Sequence, residues 1–190
     1  MIGFLIYLTV LILLLFFLIF ISIYTLLLIY SSLKGSPYVA TRSKIIDDIL
    51  KNANLKKNKI FIELGSGDGR IVRAAVENYG VIGLGVDINP LLVFWSKILS
   101  RKLKDKINFK TQDIFQTDLK KADYLYLFLM PKLIEKLKPK MEKELKKGAL
   151  VISHGFKIIG WEKKLVKTLK VDPFWTYYYK VKSQNSKVKS

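Results

Sequence analysis

Lys59-Ile-Phe-Ile-Glu-Leu-Gly-Ser-Gly-Asp-Gly-Arg70 constrains the fold more than any other stretch of this chain. The apolar run Ile60 to Leu64 has the length of a buried strand. It runs into Gly65, Gly67 and Gly69, and Ile71, Val72, Ala74, Ala75 and Val76 follow at helical spacing, with Gly80 as the stop. A strand that turns through glycines into a helix brings backbone N–H groups up to a ligand with no Cβ in the way. The spacing narrows the ligand. The dinucleotide pattern G-x-G-x-x-G needs a glycine where this chain has Arg70, and no Gly-Lys-Ser/Thr follows to make a P-loop.

The rest of the chain alternates strand and helix. Val81 to Val86 reads as a second strand closed by Asp87, and Asn89-Pro90 as the N-cap and first residue of a helix. That helix is expected to reach about Lys104 and to bury Leu91, Leu92, Phe94, Trp95, Ile98 and Leu99. Ile107 to Thr111, Ala122 to Leu129 and Ala149 to Ser153 read as strands three to five. Pro131 opens a helix that Pro139 should break or kink, with a second piece reaching Lys147. Lys164 to Val171 and Trp175 to Val181, joined by Asp172-Pro173-Phe174, are too closely connected to be parallel. Upstream of the first strand, Ser43 is placed to cap a helix that carries Ile45, Ile46, Ile49 and Leu50.

The glycine turn and this strand order resemble the class I, seven-strand S-adenosylmethionine-dependent methyltransferases. The resemblance implies an α/β fold, a Rossmann-like seven-stranded sheet that is parallel with a C-terminal antiparallel hairpin, here preceded by one N-terminal transmembrane helix. It implies S-adenosyl-L-methionine as cofactor, held by Glu63, Gly65, Ser66, Gly67, Asp87, Ile88, Asp113 and Ile114. Asp87, 24 residues after Glu63, suits the two ribose hydroxyls, a position shared with other adenosine-binding folds. By the resemblance, Asp113 accepts from the adenine amino group, Ile114 and Phe115 flank the ring, and Glu63 polarises the methionine end.

Charge agrees with that cofactor on separate grounds. Of 15 acidic residues, Glu63, Asp68, Asp87 and Asp113 fall at predicted carboxyl ends of adjacent strands, the edge where open α/β sheets bind ligands. An acidic mouth repels a pyrophosphate and tolerates a sulfonium. Each acid alone is also explained as a helix cap or a solvated loop residue, Asp68 most readily. His154, the only histidine, ends the fifth strand and reads as structural. No Cys/His cluster offers a metal site, and no nucleophile constellation for hydrolysis stands out.

Met1 to Leu33 carries no charged side chain. A membrane-spanning helix needs about 20 apolar residues, and Tyr7 and Tyr30 would stand about 35 Å apart on it as interfacial anchors. A cleaved signal peptide fits poorly, since a basic n-region and a small-residue cleavage site are lacking. Lys34, Arg42 and Lys44 follow the helix and no cation precedes it. The positive-inside rule therefore places a single-pass chain with its catalytic domain in the cytoplasm. The expected division is a transmembrane helix at 1–33, a linker at 34–43, a methyltransferase domain at 44–182 and a disordered basic tail at 183–190. The net charge of +18 sits after residue 33. Of 33 basic residues only four are Arg, which favours membrane affinity or compositional bias over phosphate-reading nucleic-acid binding.

A narrower resemblance joins these parts. An N-terminal membrane helix, then Pro37-Tyr38-Val39-Ala-Thr41, then Glu-Leu-Gly-Ser-Gly-Asp-Gly-Arg, is similar to the adenine nucleotide translocase and ATP synthase c-subunit lysine methyltransferases and their prokaryotic relatives. It implies methylation of a lysine on a membrane-associated protein. The alternatives are a lipid-soluble small molecule, an RNA, or a non-catalytic basic module tethered at a membrane. Phe128-Leu-Met-Pro131 departs from the Asn-Pro-Pro-Tyr signature of many amide and nucleobase methyltransferases. Tyr38, Thr41, Met130 and Pro131 are the candidates for an apolar channel that lowers the amine's pKa before an in-line displacement, and no residue is assigned as base.

Overall fold

The computed structural model describes residues 1–34 and 42–181. Tyr38, Thr41, most of the expected linker and the expected tail lie outside them. The chain divides into two compact units. The first is the helix α1, Ile2–Lys34, of which Ile2–Leu27 is long and apolar enough to cross a membrane. Two of its hydroxyls are satisfied within the helix: Thr9 donates to Leu5 O and Thr25 to Ile21 O. Such bonding is what a polar group needs where no water is at hand.

The second unit is built on one seven-stranded sheet of order β3-β2-β1-β4-β5-β7-β6. The strands are β1 (Ile60–Leu64), β2 (Ile82–Asp87), β3 (Ile107–Thr111), β4 (Tyr124–Leu127), β5 (Leu150–His154), β6 (Leu165–Val171) and β7 (Phe174–Lys180). The first five are mutually parallel; β7 runs antiparallel to both β5 and β6. Strand order reverses at β1, so the carboxyl ends of β1, β2 and β4 open on the crevice where such sheets take ligands.

Alternation along the strands makes two cores. Phe61, Tyr124, Tyr126, Ile152 and Tyr178 point to the face covered by α2 (Ser43–Ala53) and α3 (Arg70–Tyr79). Ile62, Leu64, Leu125, Leu127 and Val151 point to the other face, under α5 (Pro131–Glu144) and Trp161. The Tyr178 hydroxyl donates to Ile49 O at 2.9 Å and so ties α2 to β7. Gly80 ends α3 in the left-handed conformation with its amide on Val76 O, and Asn89 caps α4 (Pro90–Leu99) by accepting from the Leu91 and Leu92 amides.

Several boundaries differ from expectation. Arg42, not Ser43, is the cap of α2, and Ser43 is its first helical residue. The helix α4 stops at Leu99, where Ser100 turns the chain into a short 3-10 turn, Arg101–Leu103. It buries Leu92, Val93 and Ser96, while Phe94, Trp95, Ile98 and Leu99 stand in solvent. β4 is only four residues long because Phe128 to Met130 turn away to start α5. Pro139 does not break α5, which runs unbroken through it. One lost backbone bond is outweighed by burial of Ile134, Leu137 and Met141 on either side.

Candidate active site at the carboxyl edge of the sheet

The turn after β1 puts Gly65, Gly67 and Gly69 at φ +78°, +53° and +73°, a region closed to most side chains. A Cβ on Gly65 would also lie 2.9 Å from Leu129 Cδ2, so the turn and the chain after β4 are in close contact here. The neighbouring strand holds the turn. The Gly65 and Ser66 amides both donate to Val86 O, at 2.8 and 2.9 Å. The Gly67 amide donates to Asp87 Oδ2 at 2.8 Å, and Asp87 Oδ1 accepts from the Asn89 amide at 2.8 Å. From the far side the Ser96 hydroxyl of α4 lies 3.0 Å from Gly67 O and 2.8 Å from Leu92 O, its one proton shared between the two acceptors. Asp87 is thus a brace of the turn, a role the sequence did not show, and each carboxylate oxygen keeps a further lone pair for a ligand.

The four acids lie in or just after three adjacent strands, β1, β2 and β3. Glu63, within β1, is buried, and burial first, then the charge of Asp68, pushes its carboxyl well above the usual range. Its Oε2 has no hydrogen-bond partner among the described residues. Burial raises Asp87 as well, against the amides of Asn89, Gly67 and Ile88. Asp68 is the exception. Burial pushes it up, but Arg70, whose guanidinium lies 2.6 Å away, outweighs that and holds it below the ordinary range. Its charge is spent locally, as a helix-start residue's would be. Asp113 follows β3, next to β2 through the Gln112 amide on Asp87 O, and accepts from the Phe115 amide at 2.9 Å to open the turn Ile114–Gln116. Ile88 and Ile114 are half-buried beside these acids in sequence. Ser66 is buried, its hydroxyl unpartnered among the described residues, in space that a Cβ on Gly85 would invade.

A Cβ-free turn, a buried carboxyl oxygen without a partner among the described residues and a second buried carboxylate at Asp87 fit a cationic, adenosine-bearing group such as S-adenosylmethionine. They fit a pyrophosphate badly.

On the β4 and β5 side, Met130 and Pro131 are exposed at the start of α5, directly after Leu129. Sequence reasoning missed a ring cluster at the neighbouring strand ends. The rings of Phe128, His154 and Phe174 meet edge to face, with centroids 4.6 Å apart for Phe128–His154 and 5.6 Å for His154–Phe174. His154 Nδ1 pairs with the Thr176 hydroxyl at 2.8 Å, and burial lowers the imidazole to about 4, so it is neutral at physiological pH. Tyr126 was also missed. It lies in register with Glu63 across β1 and β4, fully buried, and only strand register reveals the pairing. No group of His, Cys, Asp and Glu suited to a metal exists among the described residues.

This sheet order and this edge define a class I S-adenosylmethionine-dependent methyltransferase. The profile of the ANTKMT methyltransferase domain matches residues 63–165, and the chain belongs to that family. It is 35% identical over 133 residues to a protein-lysine N-methyltransferase of Saccharolobus islandicus, covering 68% of this chain and 83% of that one. It is 28% identical over 143 residues to the human lysine N-methyltransferase of the ATP synthase c-subunit, covering 74% of this chain and 60% of the relative. Among solved structures, an RNA methyltransferase from Salinibacter ruber in complex with S-adenosyl-L-homocysteine superposes with a TM-score of 0.73 at 29% identity, over 77% of this chain and 95% of that one. The chain is therefore an S-adenosylmethionine-dependent methyltransferase, and the non-catalytic binding module is set aside.

Proposed function

We propose that the chain is a membrane-anchored protein-lysine N-methyltransferase acting on a membrane-associated protein, with its catalytic domain in the cytoplasm. The observation that carries the lysine reading is the kinship to lysine methyltransferases, from Saccharolobus to the human enzyme whose name gives the ATP synthase c-subunit as its target. The charge-free stretch Met1 to Leu33 and the cations from Lys34 onward support the anchor and its orientation.

S-adenosylmethionine supplies an electrophilic methyl group on a sulfonium sulfur. In our reading the glycine turn receives the methionine part, Glu63 pairs with its ammonium, Asp87 and Asp113 take the ribose and adenine, and Ser66, Ile88 and Ile114 line the pocket. In this reading Phe128, Phe174 and the neutral His154 give the channel of Met130 and Pro131 an apolar, aromatic wall. Such a wall strips water from a lysine ammonium and lowers its pKa, favouring the neutral amine that can attack. Tyr38 and Thr41, the other two channel candidates, lie outside the described residues.

RNA is the second reading, favoured by the Salinibacter neighbour. Incubating host membranes with the full chain and radiolabelled methyl donor decides between them. Label recovered as methyllysine supports the proposal; label in RNA or in extracted lipid with protein unlabelled would overturn it.

A further inference from the structure

The helix α4 presents to solvent the kind of surface that soluble helices bury. Phe94 is 57% exposed, Trp95 52%, Ile98 37% and Leu99 54%, and Leu91 is half-buried between them. At 100° per residue these five fall on one stripe, centred away from the inward residues Leu92, Val93 and Ser96. An exposed contiguous apolar patch marks an interaction site.

Charge selects the occupant. Lys97 flanks the stripe, and Arg101, Lys102, Lys104, Lys106 and Lys110 follow it, all exposed. Asp105 is the one acid between Pro90 and Gln112, and none of these six cations enters an ion pair among the described residues. Two copies meeting through this face would bring like charges together. An anionic bilayer surface satisfies both halves. Aromatic and aliphatic side chains enter the headgroup boundary, and lysines meet phosphate. We propose that α4 and the basic segment after it form a second, peripheral membrane contact that seats the catalytic unit on anionic lipid. The proposal rests on the membrane anchoring argued above. The same helix lies against the glycine turn, with the Ser96 hydroxyl 3.0 Å from Gly67 O, so the proposed lipid contact and the methyl-donor site share one element.

The chain has no cysteine, so single-cysteine probes report cleanly. An environment-sensitive fluorophore is placed by Phe94→Cys, by Val166→Cys on the opposite sheet edge, where the side chain is 57% exposed, and by Ile12→Cys in α1. Each full-length variant is reconstituted into phosphatidylcholine vesicles with and without phosphatidylglycerol. The expected result is a blue shift and quenching by doxyl-labelled lipid at position 94 in the anionic vesicles only. Raised salt, or Trp95→Glu in the same chain, should weaken it several-fold, and position 166 should stay in water. Position 94 as accessible to aqueous iodide as position 166 overturns the proposal. So does shielding that ignores lipid charge and grows with the protein-to-lipid ratio, which assigns the face to a second copy. Position 12 reports the anchor separately: if it is aqueous, the anchoring reading fails, while position 94 still decides the fate of this face.

Discussion

Glu63 on β1 and Tyr126 on β4 stand in register on neighbouring strands, both buried, and neither Glu63 Oε2 nor the Tyr126 hydroxyl has a hydrogen-bond partner among the described residues. Burial and then the Glu63 charge push the phenol well up, as burial and then Asp68 push Glu63. Buried polar groups left so cost stability, and they persist most often where a ligand completes them.

Glu63 should therefore make the ligand-free enzyme less stable as pH rises. Its folded pKa is raised above the unfolded value, so the folded state holds the proton longer. Its favourable contribution is complete below the unfolded value near 4.5 and is lost as pH climbs through the folded one. Glu63→Gln is expected to raise the melting temperature at pH 8 more than at pH 4.5. Thermal melts across that range check it, and an equal shift at both ends would speak against a strained carboxyl.

His154 has the opposite sign. Its folded pKa, about 4, lies below the unfolded value, so its neutral, buried ring favours the fold above pH 6.5 and ceases to do so as pH falls towards 4. The interval corresponds to about 3 kcal/mol. Denaturant titrations of wild type and His154→Gln at pH 7 and pH 4.5 should show the wild type losing more stability than the variant.

Two tyrosine-to-phenylalanine changes should part company. Tyr178→Phe removes the bond to Ile49 O that ties α2 to β7, which should cost about 0.5–1.5 kcal/mol and lower the melting temperature by a few degrees. Tyr126→Phe removes a hydroxyl that has no partner among the described residues and should be near neutral or stabilising in the absence of ligand. Calorimetric melts of the two variants separate them.

Much of the fold is legible in the residues themselves. Glycines at 65, 67 and 69, Gly80 as a stop and Asn89-Pro90 as a start are local signals, because each depends on one residue's own backbone or side chain. The short apolar runs Ile60 to Leu64 and Ala122 to Leu129 likewise announce buried strands. What fails is whatever depends on a neighbour. Almost every position of α4 is apolar, so its periodicity does not say which side faces the sheet. The inward side carries Ser96, a polar residue whose hydroxyl lies 3.0 Å from Gly67 O. Pro139 reads as a break because its cost is local while the packing of Leu137 and Met141 is not. The Phe128–His154–Phe174 cluster joins three strand ends far apart in sequence, and Asp87 reads as a ligand acceptor with no hint of its bond to the Gly67 amide.

That bond makes Asp87 the residue on which the site most depends. Calorimetry of S-adenosylhomocysteine binding to the full chain is the most direct test. Wild type should bind. Asp87→Ala should lose roughly 10- to 100-fold in affinity, since it removes both an acceptor for the ligand and the support of the turn. Asp68→Ala, whose charge is already met by Arg70, should lose less. Equal binding by wild type and Asp87→Ala, or none by wild type, would contradict the site described here.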